Sequence, residues 1–154
     1  MGAIDDRLRE LGITLPKPLR PVANYLPGYR VGNLVFLSGV GPRTSAGELI
    51  SGKLGADCTV ERGYEAARWC GLHLLTNLQG IVGDLDKVVH FVKLLGMVNA
   101  TPDFKDTPAV INGCSDLLVE IFGERGKHGR SAVGMGTLPF GMAVEIEGIV
   151  EVRD

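Results

Sequence analysis

Apolar residues recur along this chain with two periods, one helical and one extended, in alternating blocks. From Val60 to about Val82 the positions Tyr64, Ala67, Leu74, Leu75, Leu78 and Val82 fall at helical spacing, with Gly71 on the same stripe. Thr59 is a candidate N-cap with Glu61 in the first turn, and Gly83 with Asp84 closes the segment. A second helix is expected to start at Thr107-Pro108, a cap followed by a first-turn proline. It should run to Phe122 on a stripe of Ile111, Cys114, Leu118, Ile121 and Phe122. Residues 4–12 predict a short polar helix, with Asp5 and Asp6 at its start and Gly12 at its end. A connector carrying Pro16, Pro18 and Pro21 follows it.

The extended blocks lie between and after these helices. Val22 to Tyr29 and Val31 to Val40 predict a hairpin, with Pro27-Gly28 and Gly32-Asn33 as turn signals. In its second strand Val35 and Leu37 point one way and Leu34, Phe36 and Val40 the other. Lys87 to Val98 is apolar on both faces, Val88, Val92 and Leu94 against Val89, Phe91 and Leu95. Arg130 to Thr137 and Met142 to Val152 complete the chain, joined at Leu138-Pro139-Phe140-Gly141. In the last strand Val144, Ile146, Val150 and Val152 form one face and Glu145, Glu147 and Glu151 the other. The order β-β-α-β-α-β-β predicts an α+β domain over residues 22–154, one mixed sheet with two helices on one face. Residues 1–21 form a helical appendage and proline-rich connector. Two helices cover one face of such a sheet, yet several strands are apolar on both faces. A second copy of the chain is the economical cover, so a homo-oligomer is expected.

Composition narrows the function. The chain has 154 residues, enough for one domain that needs neither disulfides nor metals to fold. With 16 Lys+Arg against 18 Asp+Glu and a net charge of −2, no overall field attracts phosphate backbones or anionic lipid. Nucleic acid and membranes are therefore not expected partners. Met1 to Leu15 carries Asp5, Asp6, Arg7, Arg9 and Glu10 where an export signal needs an unbroken apolar core. Val88 to Val98 is shorter than the roughly 20 residues of a spanning helix and is interrupted by His90 and Lys93. A soluble, cytoplasmic protein with reduced Cys58, Cys70 and Cys114 is expected. Cys70 and His73 could share a helix face toward a metal, but no local source of two more ligands exists, so no metal is expected. Gly39-Val40-Gly41-Pro42 and Gly134-Met135-Gly136 neither extend to a nucleotide loop nor open a helix, and no GxSxG elbow is present.

The segment after Gly126 carries the candidate chemistry. Arg130 opens a strand after the turn Gly126-Lys127-His128-Gly129, where a planar guanidinium can grip a carboxylate by two hydrogen bonds or form an ordinary ion pair. Glu145 and Glu147 share a strand face. One of them could move a proton or orient water if a pocket desolvates it; if a subunit contact buries that face, both must be paired or lie in a polar cavity.

Arg130-Ser131, six intervening residues, Leu138-Pro139, four more, and Val144-Glu145-Ile146-Glu147 resemble the C-terminal signature of the Rid (YjgF-type) reactive-intermediate deaminases. Asn24-Tyr25, Phe36-Leu37-Ser38-Gly39, the helix-strand-helix middle and Asn112 extend the resemblance over roughly residues 22 to 152. It implies a chorismate-mutase-like fold, a homotrimer with active sites in the clefts between subunits, and no cofactor. The implied reaction is hydrolysis of a small 2-imino acid or its enamine to a 2-oxo acid and ammonia. Arg130 would clamp the substrate carboxylate, and Glu145 would hold the attacking water or relay a proton. Tyr25 would close one wall, while Ser38, Gly39 and Asn112 line or brace the pocket and Ser131 joins the substrate-binding set.

The chain departs from the family's usual pattern at Ala132, where cysteine is common, at His128-Gly129 in place of Pro-Ala, and at Ala23-Asn24-Tyr25 in place of Gly-Pro-Tyr. The anchor and the glutamate remain, but the pocket around them is reshaped. The competing reading is a non-catalytic trimer that binds a small carboxylate in the same cleft. An endoribonuclease is opposed by the acidic balance, and a chorismate mutase would rest on shared fold alone.

Overall fold

A computed structural model describes residues 2–154; Met1 lies outside the described residues. The elements run α1 (Ala3–Glu10), β1 (Gly28–Val31), β2 (Leu34–Val40), α2 (Val60–Val82), β3 (Val88–Asn99), α3 (Thr107–Phe122), β4 (Gly129–Met135) and β5 (Val144–Val152). Single 3-10 turns occupy Leu85–Lys87, Gly123–Gly126 and Pro139–Gly141. The five strands form one mixed sheet in the order β1-β2-β5-β3-β4, with β3 and β4 parallel and every other pair antiparallel. Helix α3 is the crossover between the parallel pair, as a parallel connection requires.

Helix α2 begins where its cap predicted, whereas α3 begins one residue earlier: Asp106 takes the N-cap position without a side-chain cap bond, and Thr107, expected as the cap, is helical and donates its hydroxyl to the Ala132 carbonyl. The Thr59 hydroxyl accepts from the Arg62 amide, and Pro108 sits in the first turn of α3. The two helices cross in van der Waals contact because small residues line the crossing. A Cβ on Gly113 would stand 2.0 Å from the carbonyl oxygen of Tyr64, and one on Gly96 of β3 would stand 2.6 Å from Ile111 of α3. Leu74, Leu75, Leu78, Ile111, Leu117, Phe91 and Ile146 fill the layer between helices and sheet.

Three strand expectations are corrected. The hairpin's first strand begins at Gly28 rather than Val22, because Pro21 and Pro27 bracket the preceding stretch and withhold the amides a ladder needs. Strand β4 ends at Met135 and β5 begins at Val144, since Phe140, with φ of +57°, turns the intervening chain. In β3, irregularities between Val88 and His90 and between Phe91 and Lys93 break the simple alternation. Each extra residue reverses the side to which later residues point. Val88, Phe91 and Leu94 are consequently buried together, while Val89 and Val92 face out.

Helix α1 is polar outward and apolar inward. Ile4 and Leu8 are buried within the same hydrophobic cluster as α2 and α3. Its first free amides, on Ala3 and Ile4, each donate at 2.8 Å to the carboxylate of Asp86, a cap supplied from the turn before β3. Arg7 reaches the Glu120 carbonyl at 3.1 Å through both Nε and Nη2.

The sheet face turned away from the helices stays uncovered within one chain. Tyr29 is 64% exposed and Phe36 45%, and Val31, Val92 and Val133 are exposed as well.

Candidate functional site

Strand β2 gains one residue against β5 between Leu37 and Val40, so Ser38 and Gly39 leave the regular ladder opposite Glu147. The bare backbone of Gly39 lies against the carboxyl of Glu145; a Cβ there would stand 3.0 Å from Oε1. This bulge forms the floor of a cleft of about 610 Å³ whose lining includes Tyr25, Ser38, Gly39, Glu145 and Glu147. Arg20, Arg43 and the exposed Phe140 lie on its walls, the last held out by its left-handed backbone.

Glu145 is half-buried and accepts no hydrogen bond and forms no ion pair among the described residues. Burial raises its carboxyl above the usual value, and the like charge of Glu147 pushes the same way. The Ser38 hydroxyl donates to the Leu26 carbonyl at 2.6 Å, and its amide to the Pro27 carbonyl at 3.0 Å. Ser38 thereby ties the segment carrying Tyr25 to the sheet, and only its lone pairs remain for a ligand.

Arg130 lies elsewhere. Its register partner is the buried Leu94, so it points to the helix side of β4, whereas Glu145 pairs with Met97 on the opposite face. Nη1 of Arg130 donates to Ser115 Oγ at 3.0 Å and Nη2 to the Pro108 carbonyl at 3.4 Å. Its remaining N–H groups have no partner among the described residues. Asn112 stands between Pro108 and Ser115 on one face of α3, at i+4 and i−3, so it shares Arg130's surroundings. Ser131 is half-buried on the outer face, in the row Glu147–Leu95–Ser131.

The expected residues therefore form two groups in one chain. Tyr25, Ser38, Gly39 and Glu145 share the cleft. Arg130 and Asn112 share the edge of β4 under α3, and Ser131 lies on the other side of that strand. Sequence reasoning had no signal for Ser115, whose part depends on how α3 crosses β4, and it took His128 only as a turn residue. The His128 Nε2 lies 2.9 Å from Ser115 Oγ, and its Nδ1 2.6 Å from the Gly126 carbonyl.

The thiols are not poised for chemistry. All three are free and buried; burial pushes Cys114 up to about 12 despite the nearby Arg130, and raises Cys58 and Cys70. The Cys70 thiol donates to the Val144 carbonyl, and His73 Nε2 lies 2.8 Å from the Arg43 carbonyl. Among the described residues no group of three or more His, Cys, Asp or Glu could hold a metal ion, and no helix is long and apolar enough to cross a membrane.

A family model described as "YjgF/chorismate_mutase-like, putative endoribonuclease" matches residues 5–146. The chain belongs to the YjgF/chorismate mutase-like family. Protein TCP17 of Trypanosoma cruzi is 42% identical, covering 99% of this chain and 96% of its own. A 2-iminobutanoate/2-iminopropanoate deaminase of Dermatophagoides farinae is 27% identical over 92% of this chain and 95% of its own. Among solved YjgF-like structures, a "putative endoribonuclease" from Shewanella oneidensis superposes with a TM-score of 0.93 at 32% identity, covering 98% of this chain and 100% of its own. RidA from a Psychrobacter species matches at a TM-score of 0.61 and 25% identity, over 90% of this chain and 96% of its own. The fold is thus that of the YjgF-like family, and the chain follows the Shewanella protein more closely than it follows RidA.

Proposed function

We propose that this protein hydrolyses 2-imino acids, or their enamines, to 2-oxo acids and ammonia without a cofactor, in clefts between the subunits of a homotrimer. The observation that carries the reading is Glu145: a half-buried carboxyl with no partner, raised in pKa, beside a backbone bare of side chain. A carboxyl shifted upward in this way is better placed to take and return a proton than an ordinary solvated one. The deaminase relative supplies the reaction class.

In this mechanism Arg130 grips the substrate carboxylate through its free N–H groups and presents the C=N carbon to water. Water oxygen bonds to that carbon as one of its protons passes to the Glu145 carboxylate. Glu145 returns the proton to the nitrogen, the C–N bond breaks, and ammonia leaves with the hydroxyl proton as the C=O forms. Tyr25 walls the cleft, the bulge at Ser38-Gly39 shapes its floor, Asn112 stands near the arginine, and Ser131 faces the outer side of the same strand beside Leu95.

Because Arg130 and Glu145 point to opposite faces of one sheet, the mechanism needs Arg130 from one subunit beside the cleft of the next. The uncovered apolar sheet face, with Tyr29, Phe36 and Val133, supports association through that face. Three free cysteines fit a reducing, cytoplasmic setting.

The test is release of ammonia and 2-oxo acid from freshly generated 2-iminobutyrate and 2-iminopropionate. Acceleration that falls at least about 100-fold in Arg130→Ala is the expected outcome. No acceleration by the folded, oligomeric wild type would overturn the deaminase reading and leave a carboxylate-binding module.

A further inference from the structure

We propose that Ser115 and His128 act as positioning residues that hold the Arg130 guanidinium ready for a substrate carboxylate, and that they do so with a neutral His128. The inference rests on the reading of Arg130 as the carboxylate anchor.

The protons on this chain of contacts can be assigned from geometry. The Gly126 carbonyl only accepts, so the His128 Nδ1, 2.6 Å away, carries a proton and donates to it. In a neutral imidazole Nε2 then holds a lone pair, and the Ser115 hydroxyl 2.9 Å away must be its donor. With its proton so directed, Ser115 Oγ turns a lone pair to Arg130 Nη1 at 3.0 Å. Each link of Arg130–Ser115–His128–Gly126 thus joins one donor to one acceptor, while the Arg130 N–H groups not bonded to Ser115 or Pro108 stay free for a ligand. The far end is fixed as well, because Gly126 is buried so tightly on α3 that a Cβ would stand 2.2 Å from the Leu118 carbonyl oxygen.

Protonation of His128 breaks this pattern. An imidazolium donates from both nitrogens, so the Ser115 oxygen would face two cationic donors and its hydroxyl proton would lose its acceptor. The guanidinium and imidazolium would also repel. The charged or titratable groups facing the ring are Arg130 from β4 and His90 from β3; α3 contributes the neutral Ser115, and Lys127 and Glu124 in the preceding turns pair with each other at 2.6 Å. Burial, then Arg130 and His90, lower the ring's pKa against the opposing pull of the Gly126 carbonyl, so the neutral form is the one present at neutral pH.

The consequence belongs to binding more than to turnover. An arginine released from Ser115 keeps its charge but samples more rotamers, and the substrate must then order it. Ser115→Ala and His128→Ala are expected to raise KM for 2-iminobutyrate about tenfold with kcat within about twofold, the loss of one charge-assisted hydrogen bond. His128→Gln, whose side-chain oxygen can accept from Ser115, should restore most of the KM. Wild-type KM should climb as pH falls through the titration of His128, and KM of His128→Gln should not.

Two readouts independent of activity accompany the kinetics: imidazole ¹⁵N NMR for the tautomer, and calorimetric affinity for the product carboxylate 2-oxobutyrate. An Nδ1–H tautomer whose Nε2 signal moves in Ser115→Ala is expected, with 2-oxobutyrate affinity following the same order as KM. If Arg130→Ala abolishes turnover while Ser115→Ala and His128→Ala keep wild-type KM and affinity across pH, the positioning proposal falls and the deaminase stands. If no imine is hydrolysed, yet 2-oxobutyrate binding is lost in Arg130→Ala and weakened in the other two, the deaminase falls and the proposal stands. An Nε2–H tautomer, or no binding of 2-oxobutyrate together with no turnover, overturns the proposal.

Discussion

At the scale of single residues, the carboxyl of Glu145 is a cost that the fold carries. It sits half-buried next to Gly39 with no partner from its own chain, so burial favours its protonated form. A carboxyl whose folded pKa exceeds its unfolded one stabilises the fold when protonated, and that contribution is lost as pH rises through the folded value. Glu145→Gln should therefore melt higher than wild type at pH 7 to 8, with the two converging near pH 4. The same variant should lose about 100-fold or more in turnover of 2-iminobutyrate, because the amide cannot take a proton from water. A variant that loses stability at pH 7 would contradict the cost assigned here. Arg130 and Glu145 stood out as candidates because their types, order and spacing form one signature in the sequence. Ser115 was not, since a serine inside a helical stripe carries no mark of the strand that will cross it, and Ser38 gave no sign that its proton would go to Leu26.

At the scale of elements, the helices were legible almost to the residue because caps and stripe agree, as at Thr59, Gly83 and Pro108. The strands were less so, for physical reasons that differ. Pro21 and Pro27 deny hydrogen bonds to a stretch that otherwise alternates, and the irregularities of β3 turn Phe91 inward beside Val88 against a strict period of two. Helix α1 shows a third limit, because its polar composition hides Ile4 and Leu8, and its cap lies in the turn before β3 rather than nearby in the sequence. Gly2 is pressed against that cap, with a Cβ there only 2.0 Å from Asp86 Oδ2. Asp86→Ala should cost about 1 kcal/mol of stability and speed amide hydrogen exchange in α1 before the rest of the molecule. Unchanged exchange in α1 would show that Ile4 and Leu8 hold the helix without the cap.

At the scale of the whole molecule, the bare sheet face and the division of Arg130 from Glu145 point the same way. In the proposed trimer each site takes its arginine from one chain and its carboxylate from another, which can be tested with two inactive proteins. Co-expressed Arg130→Ala and Glu145→Gln chains should assemble mixed trimers in which about a quarter of the sites are intact, and that fraction of activity should return. No recovery from demonstrably mixed trimers would place both residues in the same subunit's site and contradict the assembly. Two-faced apolar strands raised the expectation of an oligomer from the sequence. The placement of the two groups gave no such sign, because it depends on which face of the sheet each strand turns outward.

In the proposed trimer that division of labour would also set how output follows expression. A chain newly released from the ribosome would hold half of each of two sites and the whole of none. In the proposed trimer, where copies are too sparse to stay assembled, activity would rise with about the third power of chain concentration. Synthesis would then act as a threshold, leaving a scarce protein silent and an abundant one fully at work.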